Sequence, residues 1–591
     1  MVSGLLSSRR ASGWARRTLR PRDWLTAELE AGRYALPALL AAMACAAIYL
    51  FLVTRHAGFY QDEWNFFYYR RGFSADDFFQ PYVDNLAAIP ILIYQMAIKA
   101  FGFGQAHLPI RLLWVGTVLT CSLLLFLYLR RRTLPWFAFF PSCLLLVFGA
   151  AWTDQATSLG LVRLSAVVAG LGALVALDLR SLRADLCASA LLAVALVSFS
   201  PALPFVVGAS ITVALRGGPE VWRRAWIWAA PMMIYLAWLL WAHLAYPGDP
   251  IELANVTQAP RALLEGNATV LAGIGGRYLT NDAGRIYELD HDPGIPIALL
   301  LAGWIALLAL RRRLPREALV GLSMLVAYWL IIALVISPAR QPTADRYLYV
   351  GAVLLAITLA PLLPRRSPPL IAWLVIAVTF VAFSLAPNIR ALSQSAENVE
   401  LSTDETRAGL TAMELARETM PAGFSASAAV PEFRGGLYLP STAGAYLATV
   451  DRYGSPGFSE DQLLQRDNDA RSVADAVLVG ALDLRLRVVS ASSTDASPRE
   501  CRGRHVETGG LVTAAPGTRI MVIPETAAGV QVTTARFADT PAVNLGQVDD
   551  ARPAVLRIPR DRATRAWRLG LVGSAIVRVC AQPTGSAQAA P

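Results

Sequence analysis

What most constrains this chain is the alternation, over its first two thirds, of long apolar runs with clusters of arginine. The first run, residues 35–53, has close to the ~20 apolar residues needed to cross a hydrocarbon core. Ten more follow at 109–129, 136–151, 164–177, 186–199, 203–215, 226–244, 295–310, 318–336, 347–363 and 370–386. Arg9, Arg10, Arg16, Arg17, Arg20, Arg22 and Arg33 precede the first run, which assigns residues 1–33 to the cytoplasm by the positive-inside rule. If every run crosses, the clusters at 130–132, 180–183, 216–224, 311–313 and 365–366 all return to that side. The short halves 186–199 and 203–215, turning at Ser200-Pro201, also fit broken or re-entrant helices.

Composition agrees. Charged residues make up 16% of the 591, hydrophobic residues 55%, and the mean hydropathy is +0.44. A soluble domain carries roughly 25% charge, so a soluble enzyme is excluded. The net charge of +10 sits between apolar runs, which ties it to topology and anionic headgroups rather than to nucleic acid. Thirty polar, arginine-rich residues before the first run do not form a cleavable signal peptide. The expected fold is an α-helical polytopic membrane protein of about eleven spans, residues 34–387. It has a first outer loop at 54–108 and a long outer loop at 245–294.

Beyond residue 388 no run is long enough to span. Residues 388–422 read as a helical connector. Residues 423–582 carry short β-rich runs (LRLRVVSAS, GLVTAAP, TRIMVIP, GVQVTTARF, AVLRIP, AWRLGLV and AIVRVCA), which predict an extracytoplasmic β-sandwich-like domain. Residues 583–591 read as a disordered tail. Cys501 and Cys580 stand alone in this region and suit a disulfide if it lies outside. Cys45, Cys121, Cys143 and Cys187, in or beside apolar runs, read as inert thiols.

The stretch 55–85 sets Asp62, Glu63, Asp76, Asp77 and Asp84 among many aromatic rings, as a site at a membrane surface would; an ordinary amphipathic connector is the alternative. Asp62-Glu63 suits a general base or divalent-cation ligands, against the simpler role of solvated loop acids. The order is a span, Asp62-Glu63, an aromatic segment, Ile89-Pro90-Ile91-Leu92-Ile93-Tyr94, Phe101-Gly102 and Leu108-Pro109-Ile110-Arg111-Leu112. This resembles the N-terminal part of GT-C glycosyltransferases, particularly the protein-mannosyltransferase-like and lipid A aminoarabinose-transferase-like members. It covers residues 35–129. The chain departs where that family often has a basic residue or His before a double proline; here Asp84-Asn85-Leu86 leads to a single Pro90.

The resemblance implies Asp62 as catalytic acid–base residue and Glu63 as its neighbour; Trp64, Asp84 and Tyr347 are the expected substrate contacts. It implies transfer of a sugar from a polyprenyl-phosphate donor to an extracytoplasmic glycan, lipid or protein acceptor, at the plasma (inner) membrane. Such chemistry needs cations for the departing phosphate, and outer arginines break the positive-inside trend. Arg346, Arg340, Arg163 and Arg111 are the candidates, with snorkelling or local pairing as the alternative role. No motif demands a cofactor; a divalent cation at Asp154 is the open metal candidate. The Glu-Leu-Asp-His-Asp segment at 288–292 fits a helix cap or solvated loop equally well. Competing classes are a transporter or flippase of lipid-linked sugars and a non-catalytic cell-envelope assembly protein. Spans nearly free of charge and without an internal repeat disfavour the transporter.

Overall fold

The computed structural model describes residues 28–29, 31–70, 72–218, 220–246, 253–282, 285–338, 340–429, 442–488, 504–507, 509–525, 529–548, 552–573 and 576–583. Most of the basic N-terminus, the tail beyond Pro583 and Cys501 lie outside the described residues. Cys580 is disulfide-bonded, whereas Cys45, Cys121, Cys143 and Cys187 are free.

The chain is mostly helical and multi-pass. Among the described residues six helices are long and apolar enough to cross a membrane: Ala35–Val53, His107–Leu129, Gly160–Leu177, Trp226–Ala245, Asp345–Leu362 and Leu370–Leu415. The run read as one span at 136–151 is two helices, Pro135–Leu144 and Gly149–Gln155, bent by 41°. Pro141 lies inside the first of them, and a proline there removes an intrahelical hydrogen bond. At the break Gly149 presses against helix Ala386–Leu415; a Cβ there would stand 2.3 Å from the Asn388 carbonyl oxygen. That contact brings Trp152–Gln155 to the end of the bundle.

The arginine clusters gather acids at their own end. Arg132 forks onto Asp178, with N–O distances of 2.8 and 2.9 Å, and Arg216 and Arg224 flank Asp185 at 3.8 and 3.4 Å. At the other end Tyr49, near the close of the first helix, donates to the Ile389 carbonyl at 3.0 Å. The first and last long helices therefore exit together. The segment 54–103 packs there against the C-terminal third: Gly58 N–H donates to Thr403 Oγ1 (3.1 Å), Tyr68 meets Tyr446, and Phe103 N–H reaches the Tyr453 carbonyl (2.8 Å).

Both expected outer loops contain packed structure. Segment 54–108 holds helices Glu63–Tyr68, Ala75–Phe79 and Ala88–Phe101. Segment 245–294 holds helix Ala259–Ile274 and a hairpin of β1 (Tyr278–Thr280) and β2 (Ile286–Leu289). Helix Ala259–Ile274 buries small residues: a Cβ on Gly266 would meet the Trp329 ring at 2.4 Å. Close approach of small residues leaves little hydropathy to read.

No break falls at residue 388. Leu370–Leu415 is continuous, with a π-helical segment at Phe380–Leu385. Its 46 residues at about 1.5 Å each make roughly 70 Å, more than twice a ~30 Å hydrocarbon core. The expected β-rich region from residue 423 begins instead with helices Ala426–Ala429, Ala443–Tyr453, Glu460–Leu464 and Asn468–Ala481; strands start at Arg487. Burial of Ala470, Val473, Ala474, Val477, Leu478 and Ala481 follows helical periodicity, and Ser459 with Gln462 forms a capping box.

The strands are β3 (Arg487–Val488), β4 (Arg504–Val506), β5 (Leu511–Ala514), β6 (Thr518–Pro524), β7 (Val530–Ala535), β8 (Val543–Val548), β9 (Ala554–Arg557), β10 (Trp567–Gly573) and β11 (Val577–Pro583). They form two antiparallel sheets, β5-β10-β7-β8 and β3-β9-β6-β11-β4, that share one core through Val522, Leu556, Val532 and Leu569. This sandwich is tied to helix Asn468–Ala481 by Asp475, whose buried carboxylate accepts from Phe537 N–H (3.0 Å) and Ala538 N–H (2.9 Å). Asp475→Ala would leave both donors buried without an acceptor. We expect a loss of about 2–4 kcal/mol, read as a lower melting temperature with faster amide exchange at 537–538.

Candidate functional site

The site is built around the turn that follows the first helix. Thr54 ends that helix, its Oγ1 donating back to the Leu50 carbonyl at 2.7 Å. The chain then runs to Tyr60 and reverses at Gln61, which sits at φ 40, a left-handed conformation uncommon for a residue with a side chain. The reversal places Asp62 and Glu63 in different surroundings although they are adjacent.

Glu63 is fully buried. Its carboxylate accepts from the Tyr60 N–H (2.6 Å), the Ser158 hydroxyl (2.6 Å) and the Tyr94 hydroxyl. It thus fastens the turn to helix Ala88–Phe101 and to the segment before helix Gly160–Leu177. Burial pushes its carboxyl up to about 7, against the pull of those hydrogen bonds, with a further push from the Asp62 charge. That value exceeds the ordinary 4.5, so the folded chain keeps a proton that the unfolded chain has already lost. The resulting stabilisation is complete below the unfolded value and disappears as pH rises through about 7. The shift is worth on the order of 3 kcal/mol. Melting temperature should accordingly fall between about pH 5 and 8, and Glu63→Gln should flatten that slope.

Asp62 is only partly buried, and among the described residues no hydrogen bond or ion pair engages its carboxylate. It lies within electrostatic reach of Tyr60. Burial, then the negative charges of Asp345 and Asp62, push the Tyr60 phenol up to about 12. The Tyr60 ring meets Trp152 edge-on at 6.1 Å between centroids. Trp152 lines two adjoining cavities of about 380 and 450 Å³, with Asn398 on the wall of both. Asp345 lines the smaller and accepts from Thr153 Oγ1; Tyr60 lines the larger.

Behind Trp152 the Arg163 Nε donates to Asp154 Oδ1 at 2.5 Å. Arg163 Nη2 and Asp154 Oδ2 are buried without hydrogen-bond partners, and Asp345 and Tyr82 lie within electrostatic reach of the guanidinium. Asp154 therefore sits in an ion pair. Among the described residues no group of three or more His, Cys, Asp or Glu side chains could hold a metal ion.

The other sequence candidates are dispersed. Trp64 is 1% exposed and stacked on Tyr68 and Phe103, so it packs the loop. Asp84, in a tight turn where Val83 and Asp84 both have positive φ, pairs with Arg340 at 3.0 Å. Arg111 is buried, donates to the Thr54 carbonyl at 2.8 Å and stands over the Phe51 ring. Arg346 lies over the ring of its neighbour Tyr347, whose carbonyl accepts from Tyr328. The structure thus places Asp62 and Asp345 within electrostatic reach of Tyr60, and Asp154 and Arg163 within reach of Asp345; none of Asp62, Arg163 and Arg346 lines either cavity, and Arg111, Arg340 and Trp64 stand in structural pairings. Tyr60, Ser158, Asp345 and Asn398 are additions.

No protein-family model matches the chain, and no curated protein matches it. Among solved structures it is similar to the arabinosyltransferase EmbB from Mycobacterium smegmatis. That similarity spans 98% of this chain and 67% of the other, at 12% sequence identity and a TM-score of 0.32.

Proposed function

We propose that this chain is a multi-pass membrane glycosyltransferase of the GT-C type with eleven crossings. On this reading the bundle end that holds Asp62 and the C-terminal sandwich faces away from the cytoplasm. The enzyme moves a sugar from a polyprenyl-phosphate donor to an extracytoplasmic glycan, lipid or protein acceptor. Asp62 is the general base that takes the acceptor hydroxyl proton. Glu63 positions it by anchoring the turn, and does not itself reach substrate.

The observation that carries this reading is the contrast within the acid pair. Three donors and full burial commit Glu63 to the fold, whereas Asp62 keeps an unengaged carboxylate beside the Tyr60–Trp152 wall. A base must be solvent-reachable and free to accept a hydrogen bond, and Asp62 meets those conditions better than its neighbour. Arg163, with Nη2 left open, and Arg346 are the cations proposed for the lipid phosphate as negative charge grows on it.

A donor panel tests the proposal. Purified chain in lipid vesicles is given polyprenyl-phosphate hexoses and pentoses, and separately the matching nucleotide sugars, and the released lipid phosphate or nucleotide is measured. Turnover of a polyprenyl-phosphate sugar alone is expected; turnover only of nucleotide sugars, or of neither class, would remove the proposal.

A further inference from the structure

The larger cavity has no part in the chemistry assigned so far. It lies between the second half of the long last helix and the segment that opens helix Asn468–Ala481, so the bundle and the C-terminal region build it jointly. Its volume of about 450 Å³ falls within the ~300–1,000 Å³ usual for small-molecule sites. Tyr60 and Trp152 form one end. Asp404, Glu405, Asp467 and Asp469 line the rest, and among the described residues no lysine or arginine does.

Asp404 is 7% exposed. Its Oδ2 accepts from Arg466 at 3.2 Å, but its Oδ1 is buried with no partner. An unmet buried acceptor on a cavity wall costs free energy unless a ligand donates to it. The wall is thus rich in acceptors and carries two aromatic rings, and its four acids outnumber the two cations within electrostatic reach of Asp404, Arg466 and Arg407. Hydroxyl groups satisfy the acceptors, ring C–H faces suit the aromatics, and an anionic ligand would meet like charge.

We infer that this cavity is the acceptor subsite, and that it takes a neutral oligosaccharide and rejects acidic ones. The inference rests on the glycosyltransferase reading above. The attacking hydroxyl would enter past Tyr60, whose phenol lies within reach of the Asp62 charge. The helices after residue 442 would then share in acceptor choice.

The test is ligand-observed NMR on the full chain in nanodiscs. Neutral gluco-, manno-, galacto- and xylo-tetrasaccharides are compared with tetragalacturonate. Ser402→Trp fills the cavity and Asp404→Asn removes charge with little change of shape; unchanged melting temperatures establish that both variants fold. At least one neutral glycan should bind wild type about tenfold or more tighter than tetragalacturonate, and each variant should weaken it by about tenfold. Absence of neutral-glycan binding, equal binding of the acidic glycan, or indifference to both substitutions would overturn the assignment. Donor turnover by wild type is scored separately. Turnover with binding indifferent to Ser402→Trp sinks the cavity alone, and variant-sensitive binding without any turnover sinks the transferase reading and the acceptor role with it, leaving a neutral-glycan site.

Discussion

Asp62→Asn is expected to lower sugar transfer by about 10²–10⁴-fold, the range for loss of a general base. Asparagine keeps the shape of the turn and cannot accept the proton. Glu63 cannot substitute, because its three hydrogen bonds and full burial hold it away from solvent. The folded state should be little changed, since no hydrogen bond or ion pair among the described residues engages the Asp62 carboxylate. A fall in activity without a fall in melting temperature separates this residue from Glu63, whose replacement should lower both.

Arg163→Met carries the largest expected effect on stability. Arg163 and Asp154 form a pair with side chains 11% and 0% exposed. Removing the cation leaves a carboxylate buried and unpaired, at a cost of about 3–5 kcal/mol. Asp154 also helps seat helix His107–Leu129, because its carbonyl accepts from the Trp114 indole at 2.8 Å. Melting in detergent should show the loss, and the double change Arg163→Met with Asp154→Leu should recover most of it, since no charge is then stranded. Transfer should not recover with it, because the cation proposed for the lipid phosphate is still missing.

The helical bundle was legible because lipid imposes long apolar runs and arginine marks their ends. The runs 35–53, 109–129, 226–244 and 295–310 fall within a few residues of the helices Ala35–Val53, His107–Leu129, Trp226–Ala245 and Gly294–Leu310. Packing that relies on small residues was not legible. Helix Ala259–Ile274 buries Ala262, Gly266, Ala268 and Gly273, and carries too little hydropathy to stand out from a loop. The helices between 443 and 481 did leave a mark, in the periodicity of Asn468–Ala481 and in Ser459–Gln462, and the strand-rich composition after residue 487 masked it. Strands β4 and β8 were missed because one has three residues and the other, VNLGQV, is half polar.

At the site, sequence order alone pointed to Asp62-Glu63 but could not divide the roles. That division depends on Ser158 and Tyr94, which stand 95 and 31 positions away from Glu63. In the sequence the arginines stand out only by the side on which they fall. Their separation into a buried pair at Arg163, a loop tie at Arg340 and a helix contact at Arg111 depends on packing between segments far apart in the chain.

The most direct test follows radiolabelled polyprenyl-phosphate sugar in membranes that contain either wild type or Asp62→Asn at equal abundance, with label counted in acceptor and lipid phosphate counted in parallel. Wild type should release one polyprenyl phosphate for each sugar transferred, and the variant should do neither above background. Equal transfer by the two would contradict Asp62 as the base.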